Sequence, residues 1–119
     1  LSLHDALPIW FKVADACQKY MKPYILGAVR AYEGQITTIL PSTSKIKNPK
    51  IRDLFDEENI SNTGDDCSDI GVLSVTTTLV GTIMASECLK LILNIDEVLV
   101  GKMLMVDLLN LKFETIKYK

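Results

Sequence analysis

The chain has 119 residues, of which 48% are hydrophobic and 24% are charged, a composition that is typical of one small globular domain and excludes a disordered or fibrous chain. Its formal net charge of −2 provides no basic excess, so we expect no nucleic-acid partner. Three cysteines without a CxxC pair favour a reducing, cytoplasmic location over a disulfide-bonded scaffold.

The first nine residues, LSLHDALPI, read in phase as the translation of a common sequencing-library adapter. We therefore expect that residues 1–9 are not native protein sequence, and we exclude them as one would a cloning scar. The only histidine, His4, lies in this stretch, so we assign it no catalytic role. On this interpretation, residues 10–119 are the C-terminal part of a longer domain.

Residues 11–40 predict a helix followed by two strands. Apolar residues recur at helical spacing over residues 11–21, and the pattern stops at Lys22-Pro23, because the residue before a proline avoids helical geometry. The apolar run 24–29 and the β-branched, alternating run 33–40 predict two short strands. A polar connection over residues 42–66 follows, and connections of this length in compact domains are usually functional or mobile.

Cys67 lies just before a helix that we predict over about residues 69–94. At a helix N-terminus the backbone N–H groups and the helix dipole favour a thiolate, which makes Cys67 a candidate nucleophile. Three neighbouring aspartates oppose that charge, so an incidental thiol remains the alternative reading of the same pattern.

The predicted helix is apolar on every face, which is typical of a buried helix. Serine and threonine residues interrupt it too often for a membrane span of about 20 apolar residues, and we expect no membrane partner. Cys88 is predicted to pack in the core, and the small residues Gly81 and Ala85 are predicted to allow a close approach by a neighbouring element. The last segment, about 101–118, predicts a β-hairpin that turns at Leu109-Asn110.

Three segments, taken together and in order, resemble the C-terminal half of the ThiF/MoeB/HesA adenylyltransferases. They are residues 14–40 with EGQ, residues 67–93 with Cys-x-x-x-Gly-Val and Gly-Thr-x-x-Ala-x-Glu-x-x-Lys, and residues 101–118 with Gly-Lys-x-x-x-x-Asp. The resemblance implies an α/β fold. It would be the C-terminal half of a Rossmann-like, ubiquitin-activating-type fold, with a mixed sheet, a long buried helix and a terminal β-hairpin.

The same resemblance implies that the full-length protein uses ATP and Mg²⁺ to adenylate the C-terminal glycine of a ubiquitin-like sulfur-carrier protein, in sulfur transfer of the thiamine or molybdopterin type. It also implies a homodimer. The nucleotide-binding residues of the family lie in an N-terminal half that this sequence lacks. We therefore assign no cofactor-binding residue and expect the fragment alone to be inactive. The alternative is a non-catalytic carrier-binding or regulatory subunit of the same fold.

The resemblance also suggests individual site residues. Cys67 aligns with a cysteine that in some members captures the activated carboxylate or takes part in a persulfide step. Arg30, Tyr32, Glu33 and Gln35 fall at the connection between the first two strands, where a partner surface is predicted.

Many members of the family carry a zinc-binding PCYRCLF in the crossover connection, whereas this chain reads PKIRDLF over residues 49–55. Lys50 and Asp53 stand where the two thiolate ligands would be, so we predict no bound metal and a member of the zinc-free subclass.

Overall fold

The computed structural model of the chain describes residues 3–54 and 73–118, without the side chains of residues 3–8. The described chain has three helices and four strands, in the order α1 (Leu3–Lys19), β1 (Tyr24–Arg30), β2 (Glu33–Ile39), α2 (Ile51–Leu54), α3 (Ser74–Ile92), β3 (Lys102–Asp107) and β4 (Lys112–Lys117). Cys67 and residues 55–66 of the predicted connection lie outside the described residues. Helix α1 begins at Leu3, and the suggested adapter origin of residues 1–9 stays a prediction.

The four described strands form one sheet in the order β1-β2-β3-β4, and the predicted α/β class is confirmed. Every neighbouring pair of these strands is antiparallel, which differs from the predicted mixed sheet. Within the described chain, the parallel contact is a single bridge between Thr38 and Val100. The short turns that join β1 to β2 and β3 to β4 allow only antiparallel pairing, because parallel strands need a longer crossover. The connection between β2 and β3 is long enough for either direction.

The sheet carries α1 and the short α2 on one face and α3 on the other. On the first face, Phe11 and Ala14 of α1 pack with Leu26 of β1, Ile39 of β2 and Ile51 of α2. On the second face, Val80 of α3 packs with Ile36 of β2 and Val106 of β3. Because side chains alternate along a strand, β2 serves both cores, with Ile36 and Ile39 on opposite faces.

Close approach between α3 and the sheet depends on glycines in the strands and not on the small residues of the helix. A Cβ placed on Gly34 would lie 2.5 Å from Cγ2 of Val80, and one placed on Gly27 would contact the sulfur of Met84. A Cβ placed on Gly81 meets nothing within 4 Å. The prediction that Gly81 would allow close packing is therefore wrong for the described chain, because this residue faces away from the sheet.

Helix α3 buries one face and exposes the other. Thr76, Val80 and Glu87 are its buried residues, whereas Leu89 and Ile92 are 59% and 69% exposed. The predicted long helix is present, but its burial is one-sided, and the prediction that Cys88 packs in the core is wrong because Cys88 is exposed. Helix α3 is long and apolar enough to cross a membrane by length and composition, a test that core helices also pass.

Glu87 joins α3 to the segment that leads into β3. Its carboxylate is 1% exposed, and Oε1 accepts a hydrogen bond of 2.8 Å from the Leu99 N–H. Lys90 Nζ lies 3.7 Å from Oε2 of Glu87 and donates to the Glu97 carbonyl oxygen. The Leu99 carbonyl oxygen in turn accepts from the Thr38 N–H at 3.0 Å, so Glu87 fixes the chain that runs beside β2.

Candidate functional site

A row of four charged residues crosses the sheet at one end. The strand register places Arg30 opposite Glu33, Glu33 opposite Asp107, and Asp107 opposite Lys112. Residues that are directly opposite each other point to the same face, so the four side chains form one charge row in the order plus, minus, minus, plus. Two carboxylates that face each other across neighbouring strands are unfavourable, which makes the middle of the row a place where a cation would be stabilised.

An open cleft of about 370 Å³ lies at this end of the sheet, between the turn that follows β1 and the turn that follows β3. Its lining includes Arg30, Ala31, Tyr32, Glu33, Asp107 and Asn110. The Leu108 N–H donates to the Tyr32 carbonyl oxygen at 2.9 Å, which holds the two turns together. The cleft is therefore a fixed feature of two hydrogen-bonded hairpin ends.

The first of these turns is strained. Ala31 has a φ of 50°, in the left-handed region that favours glycine. Such conformations cost roughly 1 kcal/mol or more and persist where the surroundings fix them. Here the two flanking residues, Arg30 and Glu33, are paired in the sheet and set the conformation of the turn.

The second turn is built around Asp107. The Asn110 N–H donates to Oδ1 of Asp107 at 3.1 Å, and Nδ2 of Asn110 donates to Oδ2 at 2.9 Å. The side-chain hydrogen bond from Asn110 is the main cause that holds the pKa of Asp107 below its usual value. Asp107 therefore keeps its negative charge beside Glu33, and the turn geometry fixes its direction.

Three of the four predicted partner residues come together in this cleft, namely Arg30, Tyr32 and Glu33. Gln35 lies two pairs further along β2, opposite Ala28 and Met105, on the same face of the sheet as Glu33. Asp107 and Asn110 were not among the predicted partner residues, although the Asp-x-x-Asn spacing at a hairpin turn is a local signal for this arrangement.

The two positions at which zinc ligands occur in related sequences carry unsuitable groups. Lys50 is a cationic side chain and offers no lone pair to a metal. Oδ2 of Asp53 accepts a hydrogen bond of 2.7 Å from the Lys50 N–H, so this carboxylate stabilises the start of α2. Among the residues that the structure describes, no group of three or more histidine, cysteine or acidic residues could hold a metal ion. The described residues therefore do not fit zinc, and zinc independence of the whole protein stays a prediction.

Comparison with known proteins identifies relatives over the whole chain. The profile described as the ThiF family matches residues 1–119. The SAMP-activating enzyme E1 of Haloferax volcanii is 36% identical over 115 residues, which are 97% of this chain and 41% of that protein. The sulfur carrier protein adenylyltransferase of Thermus thermophilus is 31% identical over 113 residues, 94% of this chain and 42% of that protein. The chain thus spans about two fifths of these relatives.

Solved structures show the same fold. The crystal structure of E. coli MccB with succinimide superimposes with a TM-score of 0.68 and 14% sequence identity, over 95% of this chain and 33% of the MccB chain. The crystal structure of E. coli MccB with selenomethionine MccA gives a TM-score of 0.67. At this identity, the agreement concerns the fold alone.

Proposed function

The chain belongs to the ThiF family, and from this premise we propose that the protein of which it forms part is an ATP- and Mg²⁺-dependent adenylyltransferase that activates the C-terminal glycine of a ubiquitin-like sulfur-carrier protein. The relatives named as a SAMP-activating enzyme and as a sulfur carrier protein adenylyltransferase support this reaction. In this proposal the described residues supply a docking surface for the carrier, and the nucleotide binds elsewhere in the longer protein.

The observation that carries the docking role is the cleft at the hairpin ends. Arg30 and Glu33 lie on its rim, and Tyr32 is 43% exposed beside them. Leu109 and Leu111 of the second turn are 67% and 78% exposed. Exposed apolar side chains that lie beside charged residues are typical of a protein–protein interface.

The charge row suggests which group the carrier brings. The facing carboxylates of Glu33 and Asp107 would be stabilised by a lysine or arginine inserted between them. Arg30 and Lys112 at the ends of the row would exclude carriers that present a second cation there. We therefore propose that the carrier docks through one cationic side chain next to its glycine-rich tail.

The docking surface is tested by reversing one charge. We expect Glu33→Lys to raise the KM for the carrier by about tenfold, because a tenfold change corresponds to ~1.4 kcal/mol, the scale of one well-placed interface charge. The KM for ATP should not change. The measurement is carrier-dependent ATP–pyrophosphate exchange by the intact protein, with ubiquitin-like sulfur carriers that end in Gly-Gly.

The matched control is Glu97→Lys, which makes the same charge change at an exposed residue remote from the cleft. Equal effects of the two variants would contradict docking at the cleft. If the intact wild-type protein binds a carrier but catalyses no exchange, the adenylyltransferase proposal fails and the non-catalytic subunit is correct.

Cys67 keeps its proposed role as the nucleophile in carrier activation or sulfur transfer. In the intact protein, iodoacetamide is expected to modify Cys67 faster than Cys17 and Cys88, because a thiolate reacts and a thiol does not. Cys88 is exposed, so a faster reaction at Cys67 would reflect chemical activation and not access alone. Mass spectrometry of the alkylated peptides measures the three rates, and equal rates would refute the nucleophile.

The proposal includes assembly and location. The exposed apolar residues of α3, such as Leu89 and Ile92, support its association with another surface, and a homodimer of the full-length protein is our proposal. A cytoplasmic location agrees with the use of unpaired cysteines, of which Cys17 and Cys88 are free in the described chain.

A further inference from the structure

The start of the connection after β2 is held against α1 by polar contacts at two points. Asp15 and Gln18 lie three residues apart on α1 and therefore share one face of that helix. Gln18 and Ser42 exchange two hydrogen bonds of 2.8 Å, from Nε2 of Gln18 to the Ser42 carbonyl oxygen and from the Ser42 N–H to Oε1 of Gln18. This pair fixes the point at which the chain leaves β2.

Arg52 makes the second contact. Its Nη1 donates to Oδ1 of Asp15 at 2.8 Å, and its Nη2 lies 3.4 Å from Oδ2, which is a bidentate arrangement. The guanidinium carbon lies 4.8 Å from the centre of the Phe11 ring, within the range of a cation–π interaction. An exposed ion pair alone contributes little to stability, but bidentate and ring-stacked geometry is specific to arginine.

The segment between these points is ordered by its own contacts. Oγ of Ser42 accepts from the Asn48 N–H at 2.9 Å, and Nδ2 of Asn48 donates to the Pro41 carbonyl oxygen at 2.7 Å. Next to Arg52, the side chain of Ile51 is 1% exposed and lies in the core beside α1. A helix as short as α2 is not stable alone, so these contacts determine its position.

We propose that Asp15, Gln18 and Arg52 form a metal-independent clasp that positions the connection over residues 42–54 for carrier binding. This inference rests on the proposed function, because the resemblance to the adenylyltransferases implies that the crossover connection lies over the carrier tail. The residues at the zinc positions, Lys50 and Asp53, do not fit a metal, and the clasp explains how the connection is fixed without one. The three clasp residues are positioning residues and take no part in the chemistry.

The first test measures the clasp without using activity. In the intact protein, Arg52→Ala and Asp15→Asn are each expected to speed hydrogen–deuterium exchange of peptides covering residues 42–54 by roughly fivefold, the scale of one bidentate ion pair. The double variant should exchange no faster than either single variant, because both remove the same contact. EDTA should leave the wild-type exchange rate unchanged.

The second test separates positioning from general destabilisation. Arg52→Ala is expected to raise the KM for a Gly-Gly-ending carrier while kcat at saturating carrier stays the same, and Arg52→Lys should restore little because a lysine cannot form the bidentate pair. The exchanged pair, Asp15→Arg with Arg52→Asp, should recover part of the loss. Lys45→Ala, at an exposed cation of the same connection, is the matched control and should change neither readout.

The clasp is refuted if Lys45→Ala loosens the segment as much as Arg52→Ala, if the two clasp variants add fully, or if EDTA increases exchange over residues 42–54. A lower kcat without a change in KM would show that Arg52 does not position the carrier. If the wild-type protein lacks carrier-dependent ATP–pyrophosphate exchange, the proposed function fails, while the hydrogen-exchange result still decides whether the clasp exists.

Discussion

Gly34→Val is expected to destabilise the intact protein by about 3 kcal/mol, at the upper end of the usual cost of overfilling a packed core. Even the Cβ of a new side chain would lie 2.5 Å from Cγ2 of Val80, and valine adds two further methyl groups. Val80 is 4% exposed and β-branched, so it has neither space nor rotamer freedom to move aside. Helix α3 would have to shift away from β2. Chemical denaturation followed by circular dichroism measures the loss.

Two other glycines provide internal controls. Gly81→Ala should stabilise the protein by about 0.5–1 kcal/mol, because alanine favours a helix interior over glycine and a Cβ there meets nothing within 4 Å. Gly27→Ala should cost less than Gly34→Ala, since the nearest contact at Gly27 is the flexible thioether of Met84. A Gly34→Val protein with unchanged stability would show that α3 does not pack against β2 in this way.

Glu87→Ala is expected to cost about 3 kcal/mol of unfolding free energy, within the range for breaking a buried, hydrogen-bonded charged contact. The truncation leaves the Leu99 N–H without its acceptor and opens a cavity under α3. It also removes the carboxylate next to Lys90. Thermal unfolding of the intact protein measures the effect as a lower Tm.

Two further variants distinguish this loss of stability from the general effect of removing a negative charge. Glu87→Gln keeps a side-chain oxygen for the Leu99 N–H, so it should cost less than the alanine variant. Glu97→Ala removes an exposed carboxylate while its backbone carbonyl still accepts from Lys90, and it should be nearly neutral. Similar losses for Glu87→Ala and Glu97→Ala would refute the role of Glu87 in joining α3 to the segment before β3.

Local sequence patterns predicted most of the described elements because these depend on nearby residues. Alternation and turn residues placed the terminal hairpin at about 101–118, and the structure has strands Lys102–Asp107 and Lys112–Lys117 there. The predicted strands 24–29 and 33–40 correspond to β1 and β2. Helical spacing predicted α1, although the helix begins earlier in the chain than the pattern suggested.

The errors at α3 concern which face of the helix is covered, and that depends on partners far away in the sequence. The apolar composition of α3 predicted full burial, but within the described chain only one face meets the sheet, so Cys88 and Gly81 are exposed. Composition states how apolar a helix is, and it does not identify the surface that will cover it.

The sequence predicted the candidate site only in part, because some of its residues come together through pairing of distant strands. Arg30, Tyr32 and Glu33 are neighbours in sequence, so their proximity follows from one hairpin turn. Asp107 joins them only through the register between β2 and β3, which no local pattern specifies. The charge row therefore becomes visible only once the strands are paired.

The order of the strands has a consequence for how the domain folds. Each hairpin joins strands that are adjacent in sequence, whereas the hydrogen bond between Thr37 and the Lys102 carbonyl oxygen joins residues 65 positions apart. Local hairpins form within microseconds, while closing a long loop has a higher entropic cost. We therefore expect docking of the second hairpin onto the first to be the slow step. Helix α3 lies between the two hairpins in the sequence and packs on β1 and β2. Its packing therefore brings the start of β3 close to the unpaired edge of β2, which lowers the cost of closing the long loop.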